Sequence, residues 1–128
     1  MVVDSSALIA IVMAEPGHAA LLARITSASS AGIGAPTVVE TAMVLTRRLG
    51  GDPFPLLTEL LEQLGVEVIS FTPEHTRVAL RAFLRFGKGR HPAALNFGDC
   101  LAYAVASLAN RPLLYVGEDY ARTDLASA

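Results

Sequence analysis

Four of the twelve acids in this 128-residue chain stand where surface acids seldom do. Asp4 closes the apolar, β-branched start Met1–Val3. Glu40 interrupts an apolar stretch, between Val38–Val39 and Ala42–Met43. Asp99 heads the apolar run "FGDCLAYAVASLAN". Asp119 follows "RPLLYVG", with Glu118 before it and Asp124 after it. Each has a plain explanation when taken alone. Asp99 would cap a helix, Glu40 would reach water from the edge of a stripe, and Asp4 would meet the N–H groups of the next helix. Gathered at one place, the carboxylates repel one another. Such crowding is tolerable when some are protonated or when a cation joins them. Hard divalent ions such as Mg²⁺ and Mn²⁺ prefer carboxylate oxygens and keep several waters. An ion so held activates water and stabilises in-line displacement at phosphorus. No Cys/His set has zinc spacing. The histidines His18, His75 and His91 are scattered, and Cys100 is the single cysteine. The first two read as surface or structural. His91 is a candidate general acid that the metal chemistry does not require.

The positive charge is also uneven. Formal net charge is −2, yet five of the ten basic residues (Arg77, Arg81, Arg85, Lys88, Arg90) fall in one stretch that holds no acid between Glu74 and Asp99. A local basic patch suits phosphate binding. A solvated helix face beside a loop would look the same. Lys88 and Arg90, with Arg85, are the phosphate candidates, because "GKGRH" reads as a flexible basic loop next in sequence to Asp99.

Elements that bring these acids together are legible from the pattern. Met1–Val3 is a strand ending at Asp4. Ser5 or Ser6 caps a helix that runs to about Glu15. Pro16 fits the first turn of a second helix, Gly17 to about Ser27. "GIGAP" is a strand candidate weakened by its glycines. "TVVETAMVLTRRLG" is a helix with a wide stripe at Val38, Val39, Ala42, Met43 and Leu45, ended by Gly50 and Gly51. "DPFPLLTELLEQLG" is a fourth helix, and "VEVISF" alternates as a strand does. "TPEHTRVALRAFLRFG" opens with a Thr cap, a Pro at the first helical position and Glu74 in the first turn. The "FGDC" helix and the "RPLLYVG" strand complete the order β-α-α-β-α-α-β-α-α-β. That alternation predicts an α/β/α three-layer sandwich around a mostly parallel sheet of four to five strands, as one domain over residues 1–128. In open parallel sheets ligands sit at the carboxyl ends of the strands, which is where Asp4 falls.

Bulk properties narrow the class. The chain is 52% hydrophobic and 17% charged, with mean hydropathy of +0.46. That is an ordered domain with a buried sheet, a sticky partner surface, or both. No apolar run reaches the ~18 residues of a membrane span. No secretory signal is evident, and one cysteine makes no internal disulfide, so a reducing cytoplasm is the expected setting.

Beyond these residue-level readings, "VVDSSALIAI", "PTVVETAMVLTRRLG", "GKGRHPAALNFGDCLAYAVA" and "PLLYVGEDYARTDL" resemble the PIN-domain proteins, above all the VapC toxins of bacterial VapBC toxin–antitoxin systems. The resemblance covers essentially the whole chain, and "LNFGDCLAYA" is its most specific block. It implies a Mg²⁺- or Mn²⁺-dependent ribonuclease cutting structured RNA such as tRNA or rRNA. It makes Asp4, Glu40 and Asp99 the first three acids of the site, with Asp4 and Asp99 binding metal directly and Glu40 acting through water. Ser6 matches a hydroxyl position that supports the first acid. Many relatives carry Asp or Asn where this chain has Gly117, and also an acid just before an aromatic, which here is Asp119 before Tyr120, so the fourth acid falls to Asp119, with Asp124 as the spare. The resemblance also implies a homodimer and a VapB-type antitoxin partner, for which the helices from Pro16 to Leu64 are the candidate surfaces. Haloacid-dehalogenase-type sites need a second Asp where Ser6 stands, and receiver domains need a Lys after the last strand where this chain has "GED". The alternative that survives is a PIN domain that binds RNA or a partner without cutting.

Overall fold

A computed structural model describes residues 1–128. The elements follow the expected order. They are β1 (Val2–Val3), α1 (Ser5–Val12), α2 (His18–Ser27), β2 (Ala31–Gly34), α3 (Ala35–Leu49), α4 (Phe54–Gln63), β3 (Val66–Ile69), α5 (Pro73–Phe86), α6 (Phe97–Ala109) and β4 (Leu113–Leu114), with a 3₁₀ turn at Tyr120–Arg122. All strand pairs are parallel, in the order β3-β2-β1-β4. A fifth position beside β4 is filled by one parallel bridge, Leu113 to Ser127, as the C-terminal residues return to the sheet edge.

Strand alternation divides the core. Val2 and Leu113 face a cluster built with α5 and α6, including Ala82, Phe86, Tyr103 and Val105. Their neighbours Val3 and Leu114 face the opposite cluster, with Leu8, Ile25, Val38, Leu57 and Leu61 from α1 to α4. Successive strand residues point to opposite faces. The two residues of β1, and likewise of β4, therefore serve both layers. The glycines of β2 make room for neighbouring side chains. A Cβ on Gly32 would come within 2.6 Å of Ile69 Cδ1, and one on Gly34 within 2.8 Å of Val105 Cγ2.

Three local expectations change. Helix α1 ends at Val12, and Ala14 turns through φ 49° before Gly17 (φ 89°) starts α2, so Pro16 lies in the connecting turn and not in a helix. Neither serine caps α1, because Asp4 does so itself. In α3 the inner face is Thr37, Val38, Thr41 and Leu45, while Val39 (59% exposed) and Met43 (54%) face outward. Buried Thr41 is satisfied within the helix, donating to the Thr37 carbonyl at 2.7 Å. No helix is long and apolar enough to cross a membrane.

Candidate active site

Asp4 stands between the two-residue strand β1 and helix α1, which it caps, and is only 4% exposed. A buried carboxylate is costly unless hydrogen-bonded. Asp4 Oδ2 accepts from the Ser6 backbone N–H (3.0 Å) and from Ser6 Oγ–H (2.6 Å). Ser6 Oγ in turn accepts the Val116 N–H at 3.0 Å. This ties the loop after β4 to the acid after β1. Ser6 thus holds Asp4 through both its backbone N–H and its hydroxyl. The other oxygen, Asp4 Oδ1, faces the Tyr120 hydroxyl at 3.0 Å.

Asp99 arrives from the start of α6. Asn96 and Asp99 form a reciprocal cap, with the Asp99 N–H donating to Asn96 Oδ1 (2.9 Å) and the Asn96 N–H to Asp99 Oδ2 (3.0 Å). One oxygen thus serves the cap and the other is left for the site edge. Asp99 Oδ1 lies 3.2 Å from the same Tyr120 hydroxyl. Burial raises the Asp99 carboxyl to about 6. The Asn96 N–H opposes this, the charges of Asp4 and Asp119 add to it, and the Tyr120 hydroxyl opposes it. Burial, and then the two carboxylates, drive the Tyr120 hydroxyl far above its ordinary range, so it stays protonated. Tyr120 is 3% exposed and packs on Tyr115, ring centroids 5.0 Å apart. Sequence reasoning used this tyrosine only as the aromatic beside Asp119. The tail that carries it has no periodicity to flag an inward-facing residue.

Glu40 comes from the second turn of α3. Its Oε1 accepts from Ser5 Oγ–H at 2.6 Å, so the paired serines divide their work, Ser6 on Asp4 and Ser5 on Glu40. Its Oε2 lies against the first turn of α6, so closely that a Cβ on Gly98 would stand 1.7 Å away. The partial positive charge of a helix N-terminus favours a carboxylate there. The sequence reading gave Ser5 only a capping role and Gly98 none. A short side chain next to a known acid, and a glycine next to another, were the available signals.

Asp119 is exposed, and its charge is felt by Asp99. Asp124 is committed elsewhere. Its oxygens accept from Tyr103 Oη–H (2.7 Å) and from Arg85 (3.0 Å), so it does not serve as the spare acid. Arg85 is thereby paired on the side of Asp124, and its guanidinium also sits 4.6 Å over the Phe86 ring. Arg90 Nε donates to the Leu84 carbonyl at 3.2 Å, while Lys88 is exposed and its ammonium makes no hydrogen bond. The "GKGRH" segment is a built turn rather than a slack loop. Lys88 N–H and Leu95 N–H close a backbone ladder with Leu95 and Phe86, over buried Ala93 and Leu95. His91 is part of that turn. Its Nδ1 accepts the Ala93 N–H at 3.0 Å and its ring meets Phe86 edge-on, which places it in a structural role.

The donor set at this edge is all oxygen, without thiolate or imidazole, which suits a hard divalent ion better than zinc. No three His, Cys, Asp or Glu side chains stand close enough to share one ion. Asp4 and Asp99 form a facing pair, and Glu40 is held apart by its own serine.

A parallel three-layer domain that brings Asp4 after β1 to face Asp99 of α6, with Glu40 of α3 at the same edge, has the layout of a PIN domain. The PIN-domain family model matches residues 1–125, and the chain belongs to that family. Its relatives narrow this to the VapC proteins. It is 50% identical to ribonuclease VapC36 of Mycobacterium tuberculosis over 126 residues, covering 98% of this chain and 91% of that one. It is 36% identical to ribonuclease VapC42 of the same organism over 129 residues, covering 100% of this chain and 98% of the relative. Among solved structures, M. tuberculosis VapC20, a sarcin-ricin loop cleaving toxin, superposes with a TM-score of 0.80 at 17% identity, over 99% of this chain and 97% of that one. A toxin–antitoxin complex from Klebsiella pneumoniae gives 0.76 at 13%, over 99% and 95%.

Proposed function

We propose that this chain is the toxin of a toxin–antitoxin pair and a Mg²⁺-dependent ribonuclease, with Mn²⁺ as substitute, acting on structured RNA of the tRNA or rRNA class. The names of its VapC relatives support the ribonuclease reading. The observation that carries the mechanism is the Asp4–Asp99 pair. Two carboxylates face one hydroxyl, and neither they nor Glu40 has a basic partner among the molecule's salt bridges. Asp4 and Asp99 would hold the ion through their Oδ1 atoms. When bound, the ion neutralises their charge and supplies an activated water for in-line attack on the phosphodiester. Glu40, fixed by Ser5 and by the start of α6, would be placed to orient the attacking water. Asp119 adds negative charge at the open side. Lys88 and Arg90 contact phosphates of the RNA backbone.

Two apolar clefts support a partner-binding role. One, of about 690 Å³, is lined by Val39, Met43, Phe71, Phe97 and Leu101 and reaches Glu40. The other, of about 500 Å³, shares Phe71, Phe97 and Leu101 and continues to Leu80 and Phe83. Only α3 belongs to the Pro16–Leu64 stretch expected to supply the interface, and the opposite wall is α5 and α6. Phe97 is 81% exposed. These faces are proposed to seat a VapB-type antitoxin and a second copy of the chain, in the cytoplasm where RNA and antitoxin are found.

RNA cleavage in Mg²⁺ or Mn²⁺, with and without EDTA, tests the activity. Cleavage that EDTA abolishes is the expected result. Cleavage that persists in EDTA, or RNA binding without cutting, overturns it. Light scattering that shows a stable monomer at micromolar concentration overturns the dimer.

A further inference from the structure

The geometry points to Tyr120 as a positioning residue for the divalent ion, its hydroxyl holding in place the one oxygen of Asp4 and the one oxygen of Asp99 left available for coordination. This inference rests on the proposal that the site binds Mg²⁺ or Mn²⁺. Each carboxylate has one oxygen already engaged. Asp4 Oδ2 takes two hydrogen bonds from Ser6, and Asp99 Oδ2 takes one from the Asn96 N–H. The remaining atoms, Asp4 Oδ1 and Asp99 Oδ1, converge on a single hydroxyl, at 3.0 and 3.2 Å. A phenol has one hydrogen to donate, so it serves one oxygen at a time while keeping both within reach of one point. Tyr120 is well fitted to do this. It is 3% exposed, lies in a short 3₁₀ turn, and rests on the Tyr115 ring.

A carboxylate oxygen has two lone pairs, so one that accepts from Tyr120 still has another to offer an ion. Ligands supported in this way bind metal more tightly, because their orientation is fixed before the ion arrives. Tyr120 is a neutral donor between two negative groups, and so it also lets them stand close before the ion arrives.

The test is Mn²⁺ binding to the whole chain, followed by calorimetry and by the Mn²⁺ spin-resonance signal, for wild type, Tyr120→Phe and Tyr115→Phe. Phenylalanine at 120 keeps the ring against Tyr115, and the Tyr115 hydroxyl makes no hydrogen bond, so Tyr115→Phe removes a hydroxyl from the same aromatic pair without touching a carboxylate. Loss of an outer-shell partner costs about 10–100-fold in metal affinity, so Tyr120→Phe is expected to bind Mn²⁺ roughly tenfold more weakly while Tyr115→Phe stays within about twofold of wild type. The rise in melting temperature on adding Mn²⁺ should shrink in Tyr120→Phe alone. Equal affinity in wild type and Tyr120→Phe, or tighter binding in the variant, overturns the role of Tyr120 and leaves the metal site standing. Wild type that binds no Mn²⁺ overturns both. An equal loss in both variants shows that packing of the aromatic pair, and not the hydroxyl, is what matters, and also overturns the inference.

Discussion

Two tyrosines in this protein donate to carboxylates, and their surroundings differ in one respect. Tyr103 donates to Asp124, whose other oxygen is taken by Arg85 at 3.0 Å. Burial and the adjacent Asp124 raise the Tyr103 hydroxyl to about 12, with Arg85 pulling the other way. Charge there is balanced, and the group fastens the tail to α5 and α6. Tyr120 meets two carboxylates and no cation, although the chain has ten basic residues. The molecule's ion pairs are Arg48–Glu15 and Arg85–Asp124, both away from Asp4, Glu40 and Asp99. The functional edge is therefore marked by charge left uncompensated, and not by the number of acids alone.

The sharpest way to break this contrast is Asp4→Asn. Asp4 is proposed to hold the ion directly, and losing such a ligand should cost more than losing an outer partner, so a loss of at least about a hundredfold in RNA cleavage is expected. The variant should keep its fold, since an amide oxygen still accepts from Ser6. Cleavage within a few-fold of wild type would remove Asp4 from the chemistry.

A second change tests how Glu40 is placed. In Gly98→Ala the new methyl would overlap the Glu40 carboxylate. The flexible end of Glu40 swings aside, so the fold should survive while cleavage falls by about tenfold or more, as for an outer-shell loss. Residues acting through one group are not additive, so Gly98→Ala placed in a Glu40→Gln background should add nothing further. Full additivity of the two losses would show that Gly98 acts elsewhere.

The third test concerns stability without metal. The folded-state carboxyl of Asp99 is raised to about 6 from an ordinary 3.8. The native state therefore holds this proton more tightly than the unfolded chain does. Its contribution is most favourable below about pH 4, declines as pH rises to about 6, and is then constant. Asp99→Asn retains an acceptor for the Asn96 N–H and carries no charge. In EDTA it should melt higher than wild type at neutral pH and lose the decline over that window, while failing to cleave RNA. Parallel melting curves for the two proteins across pH 4 to 7 would contradict the raised Asp99 carboxyl.

Most of this architecture was readable in the chain. Ten elements appear in the expected order because apolar periodicity and Gly/Pro punctuation mark both helices and strands. The strand at "AGIG" persisted despite its glycines because neighbouring Ile69 and Val105 occupy the space a Cβ would need. Failures have a common source in three-dimensional direction. Val39 and Met43 are apolar at helical spacing yet face outward, since α3 turns two threonines to the core. Asp119 and Asp124 are five residues apart, and only the 3₁₀ turn between them decides which stays by the site and which reaches Arg85. Tyr120, Ser5 and Gly98 matter through contacts with residues far away in sequence, which no local pattern reports.

The weakest expected effect completes the comparison. Asp124→Asn removes the charge from the balanced cluster but keeps an oxygen for Tyr103 and a similar shape. Its partner Arg85 is well exposed, with 63% of its side chain accessible, so water screens the pair. Exposed ion pairs are worth about 0–1 kcal/mol, and the melting temperature should fall by no more than that implies. RNA cleavage and Mn²⁺ affinity should stay near wild type, because neither Asp124 oxygen faces the Asp4–Asp99 pair. A large loss of cleavage in a protein that still folds and binds Mn²⁺ would mean that Asp124 leaves Arg85 and turns toward the site when RNA is bound. The two tyrosine clusters would then be two states of one site, joined by the tail that carries Asp119, Tyr120 and Asp124.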